Sequence, residues 1–158
     1  MTPKIVCVDD QKEILSAIQK DLSQFEDKFE IVTCESADEA LEEIDDLYQD
    51  GHELALIISD HIMPNKNGIE FLGELYQDSR FYKTKKILLT GLATHDDTIA
   101  AINKAKIDYY LAKPWDSSQL VKVVKELLTH YVFDSGLDHM QYEGLLDETV
   151  LYERIRYS

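Results

Sequence analysis

Residues 54–68 read LALIISDHIMPNKNG, and this stretch decides the fold. LALIIS runs without charge or break into Asp60. A strand buried on one face alternates apolar and polar side chains, whereas a strand buried on both faces reads as one continuous apolar run. Residues 54–59 are therefore expected to form an inner strand of a sheet covered on both sides. Pro64 and Gly68 punctuate the following loop, after which Ile69, Leu72 and Leu75 recur at helical spacing over 68–77.

The same strand–loop–helix unit recurs on either side. Short runs rich in Ile, Val, Leu and Tyr mark strands at 4–8, 30–34, 86–90 and 107–112. Apolar residues spaced by three and four predict helices over 11–25, 36–49, 95–104 and 116–133. Asp10 with Glu13, and Ser36 with Glu39, have the spacing of capping boxes, and Asp116 or Ser117 can cap the helix at 116–133. Strands alternating with helices of this length predict βαβ units with right-handed crossovers, hence a doubly wound α/β domain on a parallel sheet. This domain is expected to span 1–133. Beyond it FDSGLDHMQ contains turn formers, and 142–156 read as helical again, with Leu145, Leu146, Val150, Leu151 and Ile155 on one side. The extension 134–158 is too short and acidic for a helix-turn-helix module. It suits folding back on the domain, pairing with a second copy, or starting a linker.

The charge narrows the partners. Across 158 residues, 31 Asp and Glu against 16 Lys and Arg leave a net charge of −15. Such a surface repels polyanions and anionic membranes, so neither nucleic acid nor membrane is expected as a direct partner. Cys7 and Cys34 lie inside apolar runs and read as small buried hydrophobes. The beginning MTPKIVCVDD has no leader pattern, and no apolar run reaches membrane-spanning length. A soluble cytoplasmic protein is the expectation.

The chemistry lies in how the strands end. IVCV runs into Asp9-Asp10, LALIIS into Asp60, KILL into Thr90, and DYYLA into Lys113 followed by Pro114. In a parallel sheet these ends share one edge, outside which ligands bind. Each residue has an ordinary reading as well. Asp10 stands where a helix cap is needed, Asp60 where turns favour Asp, Thr90 where strands favour Thr, and Lys113 where a solvated loop lysine is common. Together they predict phosphoryl chemistry on a carboxylate. Adjacent carboxylates suit a hard cation such as Mg2+, with the Ile62 carbonyl as a further oxygen donor. Asp60 suits a nucleophile forming an acyl phosphate, Thr90 a hydrogen bond to a phosphoryl oxygen, and Lys113 neutralisation of its charge.

VDD at 8–10, D-x-x-M-P-x-x-x-G at 60–68, LLTG at 88–91 and Y-L-A-K-P at 110–114, in this order and spacing, resemble a response-regulator receiver domain of two-component signalling. The likeness covers 3 to about 133. It implies a five-stranded parallel sheet of flavodoxin-like topology. It implies that Asp60 is the phosphoacceptor, that Asp10 binds Mg2+ directly with Asp9 acting partly through water, and that the Ile62 carbonyl is the third protein ligand. Thr90 resembles the switch hydroxyl, Tyr110 the aromatic switch residue, and Lys113 the phosphate-contacting lysine on a cis bond to Pro114. The resemblance further implies a phosphoryl donor that is a histidine kinase or histidine phosphotransfer protein, and a downstream protein target; a homodimer is the further partner expected should the extension 134–158 pair with a second copy. Such a module is not an enzyme in the ordinary sense, since it catalyses only its own phosphorylation and dephosphorylation. Ile62 and Leu92, both apolar, flank the path of hydrolytic water in this family and are expected to lengthen the phosphorylated lifetime. A doubly wound aspartyl-phosphate hydrolase of haloacid-dehalogenase-like type is the alternative. That family usually carries a second acid two residues after its nucleophile, where this chain has Ile62, and its nucleophile follows the first strand rather than the third. His61, His95 and His130 have no partner pattern and read as surface or hinge residues. Phe25, Phe29, Phe71 and Phe81 read as core or rim.

Overall fold

The computed structural model describes residues 2–91 and 96–157, the side chains of 96–98 excepted. Five parallel strands, β1 (Lys4–Val8), β2 (Glu30–Cys34), β3 (Leu54–Asp60), β4 (Lys85–Thr90) and β5 (Tyr109–Ala112), lie in the order β2-β1-β3-β4-β5. They alternate with α1 (Lys12–Asp21), α2 (Ala37–Gln49), α3 (Gly68–Gln77), α4 (Asp96–Lys104) and α5 (Ser117–Asp134), and α6 (Glu148–Tyr157) follows. Leu92 and His95 lie outside the described residues.

Every residue of β1 and β3 is buried, as a strand covered on both faces requires. Successive side chains point to opposite faces. Ile5, Cys7, Leu56 and Ile58 meet Leu15 and Ile18 of α1 and Leu120, Val124 and Leu128 of α5. Val6, Val8 and Ile57 meet Ala40 and Ile44 of α2, Phe71 and Leu72 of α3, and Ile102 of α4. Burying each large apolar side chain contributes about 1.5–3 kcal/mol. Two such cores clamp the sheet and hold its carboxyl edge in register. Phe25, Phe29 and Phe71 are fully buried and Phe81 nearly so. Cys7 and Cys34 are buried thiols whose pKa values burial pushes up to about 12, so both stay protonated and unreactive.

Several boundaries depart from the sequence reading. The expected helix 11–25 divides into α1 and a 3-10 turn at Ser23–Phe25, which carries Leu22 and Phe25 into the core. Its cap is not Asp10: Gln11 occupies that position without a side-chain bond, and Asp9 Oδ1 instead accepts the Gln11 N–H at 2.8 Å. The Ser36 cap holds, with Ser36 Oγ accepting the Glu39 N–H, and Asp116 caps α5 through Ser118 N–H. At the sheet edge β5 begins at Tyr109 rather than 107, because Lys106 has φ +55° and the Asp108 carboxylate takes the Lys86 N–H at 2.8 Å.

The expected helix 142–156 is shorter. A 3-10 turn at His139–Tyr142 precedes Gly144 at φ +86°, a left-handed conformation that interrupts a helix, and α6 starts only at Glu148. The segment folds back on the domain. Tyr142 and Leu146 are buried in the α1/α5 core, the Tyr142 ring lies 5.3 Å from that of Phe29, and the Asp147 N–H donates to Thr129 Oγ1.

Candidate active site at the carboxyl edge of the sheet

Register aligns the strand ends. Val8 stands beside Ser59, Asp60 beside Leu89, and Thr90 beside Ala112. Asp9 and Asp10 therefore emerge next to Asp60, and Lys113 emerges next to Thr90, whose carbonyl accepts the Lys113 N–H at 2.9 Å. The expected convergence is present. One oxygen from each of Asp9, Asp10 and Asp60 lies within 4.8 Å of the others. Lys113 Nζ reaches between them, 3.0 Å from Asp9 Oδ2 and 2.8 Å from Asp60 Oδ1. The Lys113–Pro114 bond is cis.

Burial sets the electrostatics. Asp9 is fully buried and Asp60 is 6% exposed, whereas Asp10 is open to solvent. Burial raises the Asp9 carboxyl above its usual range and the Asp60 charge adds to this, against the Gln11 N–H and Lys113, which favour the anion. Burial alone would lower the Lys113 ammonium, but hydrogen bonds and charge from Asp60 and Asp9 outweigh it and hold its pKa above the ordinary lysine value. The site thus sets three carboxylates close together, two of them on one ammonium. The donor set fits a hard divalent cation, being all carboxylate oxygen with one member facing water.

The loop after Asp60 is tightly built. The His61 N–H donates to the Leu89 carbonyl, and the Gly68 N–H to the His61 carbonyl at 2.8 Å. A Cβ on Gly68 would stand 2.3 Å from the Asp60 carbonyl oxygen and 2.9 Å from His61 Cα, so only glycine allows this approach. Asn67 and Glu70 form the capping box of α3, which the sequence reading did not pick out. His61 is partly buried, its Nδ1 has no hydrogen-bond partner among the described residues, and burial lowers its pKa against the pull of Asp60 and Glu70.

The remaining predicted residues differ in exposure. Thr90 is buried at the end of β4 and Tyr110 is half-exposed on β5. The Ile62 side chain is 59% exposed two residues past Asp60. Sequence reasoning passed over Trp115. Its Nε1–H donates to Asp21 Oδ2 at 2.8 Å, and Ser117 Oγ donates to the other Asp21 oxygen, tying the loop after Lys113 to α1. The signal for it was a single tryptophan one residue past the Lys-Pro pair.

A model of the response regulator receiver domain family matches residues 5–125. The response regulator Rre1 of Synechocystis is 32% identical over 124 residues, covering 78% of this chain and 51% of that protein. The transcriptional regulatory protein CpxR of Escherichia coli is 31% identical over 125 residues, covering 79% and 49%. The hydrogenase transcriptional regulatory protein HoxA of Cupriavidus necator is 28% identical over 150 residues, covering 95% and 29%. The chain thus spans between under a third and about half of the length of these curated relatives. Among solved structures, the signal receiver domain of an HD domain-containing protein from Pseudomonas fluorescens superposes with a TM-score of 0.69 at 32% identity, covering 83% of this chain and 98% of that one. A CheY-like receiver domain protein from Methanospirillum hungatei gives 0.71 at 25% identity, covering 85% and 99%. These likenesses lend nothing to the hydrolase alternative.

Proposed function

This chain belongs to the response regulator receiver domain family of two-component signalling, and we propose that Asp60 is the carboxylate on which it receives its phosphoryl group. The observation that carries this reading is Lys113 Nζ bridging Asp60 and Asp9 at 2.8 and 3.0 Å. The bridge assembles acceptor, acid cluster and counter-charge in one pocket.

In the proposed step an Asp60 oxygen attacks the phosphorus of a phosphohistidine on a histidine kinase or histidine phosphotransfer protein. An O–P bond forms, the N–P bond breaks, and the departing imidazole nitrogen takes up a proton. Mg2+ held by Asp9, Asp10, Asp60 and the Ile62 carbonyl would neutralise charge on the transferring oxygens. Lys113 stays protonated at neutral pH and supplies a fixed positive charge at the same place. The Thr90 hydroxyl donates to a phosphoryl oxygen, and Tyr110 turns inward as the β4 end tightens. The exposed surface of β5 and α4 then differs between the two states and is read by a downstream protein. The chain acts on its own carboxylate and turns over no separate substrate. Residues 1–133 form the receiver, and 134–158 an extension seated on α5.

A cytoplasmic setting fits a partner kinase with an intracellular phosphohistidine. No helix among the described residues is long and apolar enough to cross a membrane. The test is incubation with Mg2+ and a small-molecule phosphodonor, followed by intact mass. Wild type is expected to gain one phosphoryl group and Asp60→Asn none. An equal gain in both would overturn the assignment.

A further inference from the structure

α6 is fastened to the domain through Leu151 and Arg154. Leu151 packs on the α1/α5 core, Arg154 Nη2 donates to Asp134 Oδ1 at 2.7 Å, and Arg154 Nη1 lies 3.1 Å from His130 Nδ1. The opposite side faces solvent, with Tyr152 63% exposed and Glu148 and Arg156 exposed on either side of it. Residues four apart share one ridge of a helix, so Glu148, Tyr152 and Arg156 run in a row along this outer side. Among the described residues neither Glu148 nor Arg156 takes part in an ion pair.

The charge of α6 differs from that of its surroundings. The chain carries −15, yet α6 holds Glu148 and Glu153 against Arg154 and Arg156, two acids and two bases, hence no net charge. Two copies meeting through an acidic face repel, whereas meeting through α6 does not bring like charges together. The order of the ridge adds a geometric match. In an antiparallel pair of α6 helices about a two-fold axis at Tyr152, each Glu148 falls opposite the other copy's Arg156, and the two Tyr152 rings meet at the centre. Read backwards, the acid–aromatic–base row is its own complement, which is what an isologous contact requires.

We infer that the outer ridge of α6 is a self-association surface whose occupant is the same ridge of a second copy of this chain. Ten residues make a helix about 15 Å long. The contact is accordingly smaller than the roughly 800 Å² per partner of a standard stable interface, and a dissociation constant on the order of 100 μM is expected. This association is independent of the phosphoacceptor reading, because it involves the outer residues of α6 and not Asp60.

Sedimentation equilibrium of the unphosphorylated 158-residue chain, from about 10 μM to about 1 mM at roughly 0.15 M salt, reads it directly. Wild type is expected to dimerise across this range. Arg156→Glu alone or Glu148→Arg alone sets like charges opposite one another, and each is expected to weaken dimerisation more than tenfold. Mixing the two single variants restores both opposite-charge pairs, and the mixture is expected to recover a dimer near wild-type strength. Both substitutions lie on a solvent-facing ridge, so unchanged circular dichroism and melting should accompany them. A wild type monomeric to about 1 mM overturns the inference. So do single variants that dimerise like wild type, or a mixture that stays monomeric.

Discussion

Lys113 Nζ lies 2.8 Å from Asp60 Oδ1, although the two side chains leave different strands and are separated by α3, β4, α4 and β5 along the chain. The same ammonium holds Asp9, which is fully buried. Removing one partner of a buried charged group leaves the other uncompensated. Lys113→Met is therefore expected to lower stability by about 1–3 kcal/mol in metal-free buffer. It is also expected to slow phosphorylation by a small-molecule donor at least about tenfold, equivalent to roughly 1.4 kcal/mol at the transition state. Urea denaturation and timed intact mass read the two effects. Unchanged values in both would mean that the bridge is incidental.

The same crowding predicts a response to divalent cations. Three carboxylates within 4.8 Å repel, and a bound cation relieves them only in the folded chain. Mg2+ should stabilise the folded chain in a saturable way, by about 2.7 kcal/mol at a hundredfold excess over its dissociation constant, read as a rise in melting temperature. Asp10→Asn removes the ligand open to solvent and should shift that titration to higher Mg2+ by about tenfold or more. A melting curve indifferent to Mg2+ would count against the site.

Gly68 makes a packing prediction. A methyl group there meets the Asp60 carbonyl at 2.3 Å, and backbone cannot yield as a flexible side chain can. Gly68→Ala should cost about 1–3 kcal/mol of stability through overpacking. It should also reduce phosphorylation, because the displaced segment carries Asp60. Full activity in a folded variant would show that the loop accommodates the change without moving the acceptor.

How far these residues could be read from the chain depended on whether their cause was local. LALIIS identified β3 because burial on both faces leaves a continuous apolar run, and Ser36 was legible as a cap because its partner Glu39 is three residues away. Asp9, Asp60 and Lys113 could be brought together only by way of a topological rule, that parallel strands align their carboxyl ends. Where a distant group intervenes, local pattern misleads. Asp10 has the spacing of a cap, yet it is Asp9 that takes the Gln11 N–H. Residues 107 and 108 look strand-like, yet Asp108 turns its carboxylate to the neighbouring strand and starts β5 late. The lone Trp115 after the Lys-Pro pair is a local signal that does not name its partner, since Asp21 lies on α1.

Docking of α6 should respond to acid. Asp134 accepts from Lys85 Nζ at 2.8 Å and from Arg154 Nη2 at 2.7 Å. Burial tends to raise its carboxyl, but these two cations prevail and hold it below the ordinary carboxylate range. A depressed carboxylate contributes stability that is present above its unfolded pKa and is lost as pH falls through the folded value. The group is about one-third exposed, so Asp134→Asn should cost at most about 1 kcal/mol at neutral pH. Hydrogen exchange over 148–157 should quicken in that variant, and the difference from wild type should shrink once pH falls below the depressed value. A difference that persists in strong acid would rule out the ion pairs as its cause.

Ile62 is expected to bear on how long a phosphorylated state lasts. Hydrolysis of an acyl phosphate on Asp60 would need a water in line with the bond to phosphorus, and the receiver resemblance implies that a side chain two residues past the proposed acceptor stands beside that approach. Here it is apolar and 59% exposed, two residues past Asp60. A hydrocarbon branch offers that water no hydrogen bond, whereas an amide would hold and orient one. Ile62→Asn should therefore shorten the phosphorylated lifetime by about three- to tenfold, a barrier change of roughly 0.6–1.4 kcal/mol. Being solvent-exposed, it should alter stability by no more than about 0.5 kcal/mol. The decay of phosphorylated protein after removal of the donor, followed by intact mass in Mg2+ buffer, measures this directly. An unchanged half-life would mean that the exposed branch at 62 does not gate water, and would shift attention to position 92.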